Sequence, residues 1–180
     1  MLLNYMRHYL GIRNTDVYIE LYSDMRDAYE LTDNLNSSDA VKSICSNLHT
    51  KTSAKEQSLL LLRLMEFCGG RSDISIFRTL AEVFHIPEER FNDYRDYVDN
   101  RVTERVMIHQ LENTDGQLKT LLDPHTGMLL FTYMGSGEVL LNDVKVFPGT
   151  FYMWLQSSVV KAKNGTPLYY STIIRGLPES

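Results

Sequence analysis

Residues 87–112 read PEERFNDYRDYVDNRVTERVMIHQLE, and the hydrophobic period changes inside them. The first half has a helical period. Pro87 fits the first position of a helix, where no amide hydrogen is missed, and Glu88 and Glu89 suit the positive end of the dipole. The second half, RVMIHQLE, has the β-rich composition and alternation of a strand. This switch, near residue 101, predicts an α+β chain. Residues 1–100 should form an all-α helical bundle and residues 101–180 a small antiparallel β-sheet or sandwich, joined by the short charged link VDNRVTER.

Working back from the switch, the helical pattern repeats. ISIFRTLAEVFHI precedes Pro87, and before it SAKEQSLLLLRLMEFC opens with Ser53 and Glu56 at capping-box spacing. Its interior carries Leu59, Leu60, Leu61, Leu62, Leu64 and Met65, which marks it as the central buried helix. SSDAVKSICSNLH places Val41, Ile44, Cys45 and Leu48 on one stripe behind a Ser37/Ser38 cap. TDVYIELYSDMRDAYEL does the same with Val17, Leu21, Met25 and Ala28 behind Thr15. With LLNYMRHYL, ended by Gly11, six helices are expected.

Working forward, turn pairs punctuate the chain. Asn142-Asp143 separates EVLL from VKVF, Pro148-Gly149 suits a type II turn, and Asn164-Gly165 is a strong short hairpin signal. Five or more short strands follow from this spacing. In TFYMWL, alternation puts Phe151, Met153 and Leu155 on one face and Tyr152 and Trp154 on the other.

Composition narrows the function. The chain has 180 residues, 43% hydrophobic and 23% charged, which is the balance of a globular protein. No apolar run reaches a membrane span, since LLLLRLM is broken by Arg63. MLLNYMRHYLGI lacks the parts of a signal peptide. Cys45 and Cys68 sit among apolar residues as reduced thiols, so a cytoplasmic location is expected. Residues 1–100 hold 11 Lys and Arg against 16 Asp and Glu, a net of −5, and residues 101–180 hold 7 against 7. Neither half offers a clustered basic face, so no nucleic-acid partner is expected.

No reactive constellation emerges from the residues. There is no phosphate loop, and Gly135-Ser136-Gly137 leads into a strand rather than a helix. His8, His49, His85, His109 and His125 are scattered without metal-ligand spacing. Asp93, Asp96 and Asp99 fall near one helical face, which could attract a divalent cation, but the favoured reading is a solvated face with Arg90 and Arg95 as local partners. Tyr18, Tyr22 and Tyr29 line another helix as a core edge. The expectation is a chain with no catalytic residue, no cofactor and no bound metal.

The run from Glu56 to Val98 resembles the TerB-like (tellurite-resistance-like) helical domain, in the version found ahead of the ATPase in a group of bacterial ABC transporter ATP-binding proteins. LLLLRLMEF, then Ile74-Ser75, then Pro87-Glu88-Glu89-Arg90-Phe91 carry the likeness. Where the family has an acid–acid–Gly turn, this chain reads Gly69, Gly70, Arg71 and Ser72, with Asp73 alone acidic. A guanidinium in place of a carboxylate repels a divalent ion, so the resemblance implies a loop that has lost its metal. GSGEVLLNDVKVFPGTFYMWLQSSVVKAKNGTPLYYSTI is similar to the β-rich, loosely forkhead-associated-like segment that follows in the same proteins. The β half contains no Gly-Arg and no Ser-x-x-His of the phosphopeptide-binding type.

The resemblance implies a non-catalytic regulatory or interaction region of an ABC transporter ATP-binding protein. It would lie at the inner face of the cell membrane without entering it, and the ATPase would lie outside these residues. Its partner would be protein, the downstream ATPase and membrane domains of the same polypeptide. The alternative is a stand-alone tellurite-resistance or stress-type accessory binding protein. In either case the expected contact residues are the outward aromatics Tyr152 and Trp154, with Tyr169 and Tyr170 from the end of the last hairpin; the equal alternative is that Trp154 packs on the helical half, since a small sheet needs cover on both faces.

Overall fold

A computed structural model describes residue 42 and residues 46–68 and 74–176. The expected helices over residues 1–41, Cys45 and the loop Gly69–Asp73 lie outside the described residues. The chain divides into two compact units, Met1–Arg95 and Asp96–Ser180. Helices precede antiparallel sheets, so the fold is α+β.

In the first unit residues 46–51 are helical, followed by α1 (Ala54–Cys68), α2 (Ile74–Val83) and α3 (Glu88–Val98), the last running past the division. The capping box forms as its spacing predicts. The Ser53 amide donates to Glu56 Oε2 at 2.8 Å, and the Glu56 amide donates to Ser53 Oγ at 3.3 Å. Leu59, Leu61, Leu62 and Met65 bury one face of α1, and Leu60 and Leu64 are partly covered. Phe77, Leu80 and Ala81, at helical spacing, bury one face of α2. Arg90 on α3 turns inward, donating to Ser58 Oγ at 2.9 Å and to the Tyr94 hydroxyl at 2.7 Å. A guanidinium this deep is tolerated because two hydroxyl oxygens accept from its Nη2. Arg101, beyond the helix, binds Asp96 and Asp99 at 3.2 Å each.

Two helices end on the same device with no glycine. His85 (φ 54°) follows α2 and Asn100 (φ 60°) follows α3 in the left-handed region. Behind α2, the His85 amide donates to Glu82 O and the Ile86 amide to Ala81 O; behind α3, the Asn100 amide donates to Tyr97 O and the Arg101 amide to Asp96 O. This is the Schellman pattern, which satisfies carbonyls the helix leaves open.

The second unit holds two four-stranded sheets. In chain order the strands are β1 (Val106–Gln110), β2 (Gln117–Asp123), β3 (Met128–Met134), β4 (Val139–Leu141), β5 (Val144–Lys145), β6 (Phe151–Met153), β7 (Val159–Ala162) and β8 (Leu168–Tyr169). One sheet has the order β1-β2-β3-β6 and the other β5-β4-β7-β8, every pairing antiparallel. Asn142 (φ 48°) and Asp143 (φ 64°) join β4 to β5, as a type I′ turn requires. Gly149 (φ 76°) takes the left-handed place after Pro148.

Two expectations fail here. Asn164-Gly165 is not a two-residue hairpin. The turn bond runs from the Gly165 amide to Ala162 O, and the strands pair only again at Leu168. Glycine is needed at 165 for another reason: a Cβ there would meet Ala162 Cβ at 2.9 Å and Glu112 O at 3.0 Å. Past Tyr169 the chain forms a short helix, α4 (Tyr170–Arg175), instead of remaining extended. No helix among the described residues is long and apolar enough to cross a membrane.

The end of α3 is fastened to the first sheet. Lys119 on β2, only 4% exposed, donates from Nζ to Tyr97 O and Asn100 Oδ1. Its ammonium lies 4.5 Å from the Tyr97 ring centre. The Tyr97 hydroxyl shares a 2.7 Å hydrogen bond with Thr132 Oγ1 on β3, and Thr132 is directly opposite Lys119 in the register. A cation at a helix C-terminus is favoured by the dipole, and its matched donors offset the burial. Lys119→Met keeps the stem and removes these donors. The expected result is a loss of about 1–3 kcal/mol, the cost of leaving buried acceptors unpaired, read as a lower urea midpoint at unchanged m.

Candidate interaction surface

β6 decides where the aromatic side chains go. Phe151, Tyr152 and Met153 are all buried, and so is Trp154 after them. Tyr152 and Trp154 are each 1% exposed, which corrects the expectation that they project from the unit. The Phe131 ring on β3 stacks on Tyr152 at 5.6 Å and meets Trp154 edge-on at 5.2 Å. Trp154 Nε1 donates to Ser158 O at 3.1 Å, and the Tyr152 hydroxyl accepts from the Phe147 amide at 2.9 Å. Both polar tips are thus matched inside the unit, as buried Tyr and Trp require. The alternation in TFYMWL correctly separates two faces. Both faces are covered, so it does not separate inside from outside.

The four expected contact residues are not brought together as one outward surface. Tyr169, on edge strand β8, is half exposed, and Tyr170 is partly covered at the start of α4. The apolar side chains that do face outward in this unit are others. Phe147 is 64% exposed, and Val144, Leu155 and Val102 are exposed as well. Val144 lies on β5, an edge strand paired only with β4. Asn142 fastens that edge to the turn before β7, donating from Nδ2 to Ser158 Oγ at 3.1 Å and accepting from the Val159 amide at 2.8 Å. Leu155 O closes the same turn by accepting from the Ser158 amide. Val144, Phe147 and Leu155 therefore border one edge and the turn tied to it. Sequence reading passed over them because it placed Leu155 in the core with Phe151 and Met153. A phenylalanine between a two-residue strand and Pro148 was the available signal.

Around Tyr133 three connections converge. Asp115 accepts from Ser136 Oγ at 3.0 Å, Asn113 Nδ2 donates to Asn164 O at 3.3 Å, and Thr166 Oγ1 donates to Glu112. Beneath them the Tyr133 ring is fully buried, and its hydroxyl has no hydrogen-bond partner among the described residues. The ring is enclosed by glycine. A Cβ on Gly116 would fall 2.3 Å from Tyr133 Cε2, and one on Gly135 would fall 2.6 Å from the hydroxyl.

On β1, His109 Nε2 lies 3.0 Å from Thr120 Oγ1, and burial lowers its pKa from the ordinary 6.5. The histidines are not all scattered. In the first unit the His49 and His85 rings meet edge to face, 4.9 Å apart. Among the described residues no group of three or more His, Cys, Asp or Glu gathers as a metal-ligand set.

Comparison with known proteins finds no family, no curated protein and no solved structure that matches this chain.

Two outcomes follow from the buried groups. Tyr133→Phe removes an unpaired buried hydroxyl without changing shape, and should leave stability unchanged or raise it by up to about 1 kcal/mol in a denaturation midpoint. For His109 the folded pKa lies below the unfolded one, so the unfolded chain takes up the proton first. Its contribution is complete above about pH 6.5 and declines as pH falls below that value, until the folded pKa is passed. Stability measured between about pH 7.5 and 5.5 should drop on acidification, and His109→Gln should flatten that component.

Proposed function

We propose that this chain is a non-catalytic interaction region of a bacterial ABC transporter ATP-binding protein, working at the cytoplasmic side of the membrane against the ATPase part of the same polypeptide. On this reading the helical part is a TerB-like bundle, and the β unit presents the contact. The observation that carries it is Phe147. A large aromatic side chain, 64% exposed beside the edge strand β5, is held by backbone that is itself anchored to a buried tyrosine. Exposed apolar groups on a fixed scaffold are the ordinary form of a protein contact. The order of helices before antiparallel sheets agrees with the order the resemblance implies. Tyr152 and Trp154 serve the core on this reading, and Phe147, Leu155 and Tyr169 take the role of contact residues.

The reading is tested on the natural coding sequence and its product. A phosphate-loop motif encoded after Ser180 is expected, and the longer polypeptide should hydrolyse ATP. In that polypeptide, Phe147→Ser should alter the ATPase rate by weakening the contact about tenfold or more. The isolated chain should change in stability by no more than about 0.5 kcal/mol, as exposed substitutions do. An unchanged ATPase rate would overturn Phe147 as the contact. A coding sequence without the motif would overturn the transporter reading in favour of the stand-alone accessory protein.

A further inference from the structure

The ring contact between His49 and His85 pairs residues 36 positions apart. His49 lies in the helical residues 46–51, whose end is fastened to α1 by Gln57, which donates from Nε2 to His49 O at 3.2 Å and to Thr52 O at 3.0 Å. His85 stands one residue past the end of α2's last turn, where the left-handed Schellman position fixes its backbone between buried Phe84 and Ile86. Both imidazoles are thus carried on anchored backbone. His49 Nδ1 is buried and has no hydrogen-bond partner among the described residues. A buried ring nitrogen without a partner calls for a water or an ion.

The spacing of the rings fits an ion. A first-row metal sits about 2.0–2.1 Å from an imidazole nitrogen, so about 3.2 Å from the ring centre. Two imidazoles on one metal then have centres about 4.5 Å apart at a right angle and about 5.2 Å apart at the tetrahedral angle. The observed separation is 4.9 Å. χ2 is a soft torsion for histidine, so each ring can change its orientation at small cost without moving the backbone.

We propose that His49 and His85 chelate a single transition-metal ion of the imidazole-preferring kind, Zn²⁺ or Cu²⁺. The positions that the two rings leave open would be filled by water or by a partner's side chain. The site is distinct from the loop Gly69–Asp73, whose residues do not suit a hard cation. His85, which is exposed, gives the ion its way in. Its ligands make it selective for soft and borderline ions over Ca²⁺ and Mg²⁺, which take oxygen.

The experiment strips the purified chain with a chelator and titrates it with Zn²⁺, then with Cu²⁺. One ion per chain should bind and raise the melting temperature, and the Cu²⁺ electron paramagnetic resonance spectrum should show coupling to two imidazole nitrogens. His85→Gly suits the positive φ at that position and should fold at least as well. It should nevertheless weaken binding about tenfold or more and reduce the coupling to one nitrogen. His49→Gln should weaken binding likewise. Binding that survives both substitutions would place the ion elsewhere and overturn the proposal. So would a spectrum without imidazole coupling, or no binding by the intact chain.

Discussion

The Lys119 ammonium sits where three separate structural decisions meet. It closes the open carbonyl end of α3, it selects the left-handed turn at Asn100, and it sits on the face of β2 that also carries Leu121 and Asp123. Each contact depends on the others. Tyr97 O is available only because the helix stops there, and Asn100 Oδ1 reaches the ammonium from the residue that performs the stop. A buried cation is costly unless its hydrogen bonds are all met. The arrangement therefore tolerates little slippage in register: moving β2 by one residue would send Lys119 to the opposite face of the sheet.

That constraint propagates through the β unit. With Lys119 opposite Thr132, the β2–β3 register places Thr120 opposite Phe131, and the next pairing places Phe131 opposite Tyr152. Phe131 then stands between Tyr152 and Trp154, so one ring organises the aromatic core. The same face brings Tyr133 beneath Gly116 and Gly135. Its unmatched hydroxyl is the local cost of a register fixed elsewhere, and the glycines are what allow the ring to fit. The sheet carries aromatic packing on one face and the α3 terminus on the other.

Local chemistry in this chain was legible where one residue's side chain answers its own neighbours. Ser53 with Glu56, Asn142 with Asp143, and the change of period after Asn100 each describe interactions within a few positions, and each forms as read. The capping asparagine at 100 could have been found the same way. What was not legible depends on covering by distant chain. Alternation in TFYMWL gives the two sides of a strand, but exposure depends on what lies against each side, and here both are filled. Asn164-Gly165 misled because its glycine is required by the approach of Ala162 and Glu112, a contact made across 53 residues in the second case. The His49–His85 pair has no local signature at all, since helix packing alone brings the rings together. The end of the chain read as strand because Tyr, Thr and Ile favour it, yet four of those residues close a helix after Tyr169.

Burial of Tyr152 and Trp154 changes the way folding and recognition are divided. Had they been the contact residues, every substitution there would have weakened the core and the interface together. Phe147 differs. Its side chain is outside, but its amide is held by the Tyr152 hydroxyl, Tyr152 is stacked on Phe131, and Phe131 meets Trp154. The position of the outward ring is thereby set by the inward ones, while its own truncation removes nothing from the core. Damage to the core would displace the surface, whereas damage to the surface would leave the core as it is. An apolar group that adds little to stability, and is nevertheless held rigidly in place, lowers the ordering cost of any partner that binds it.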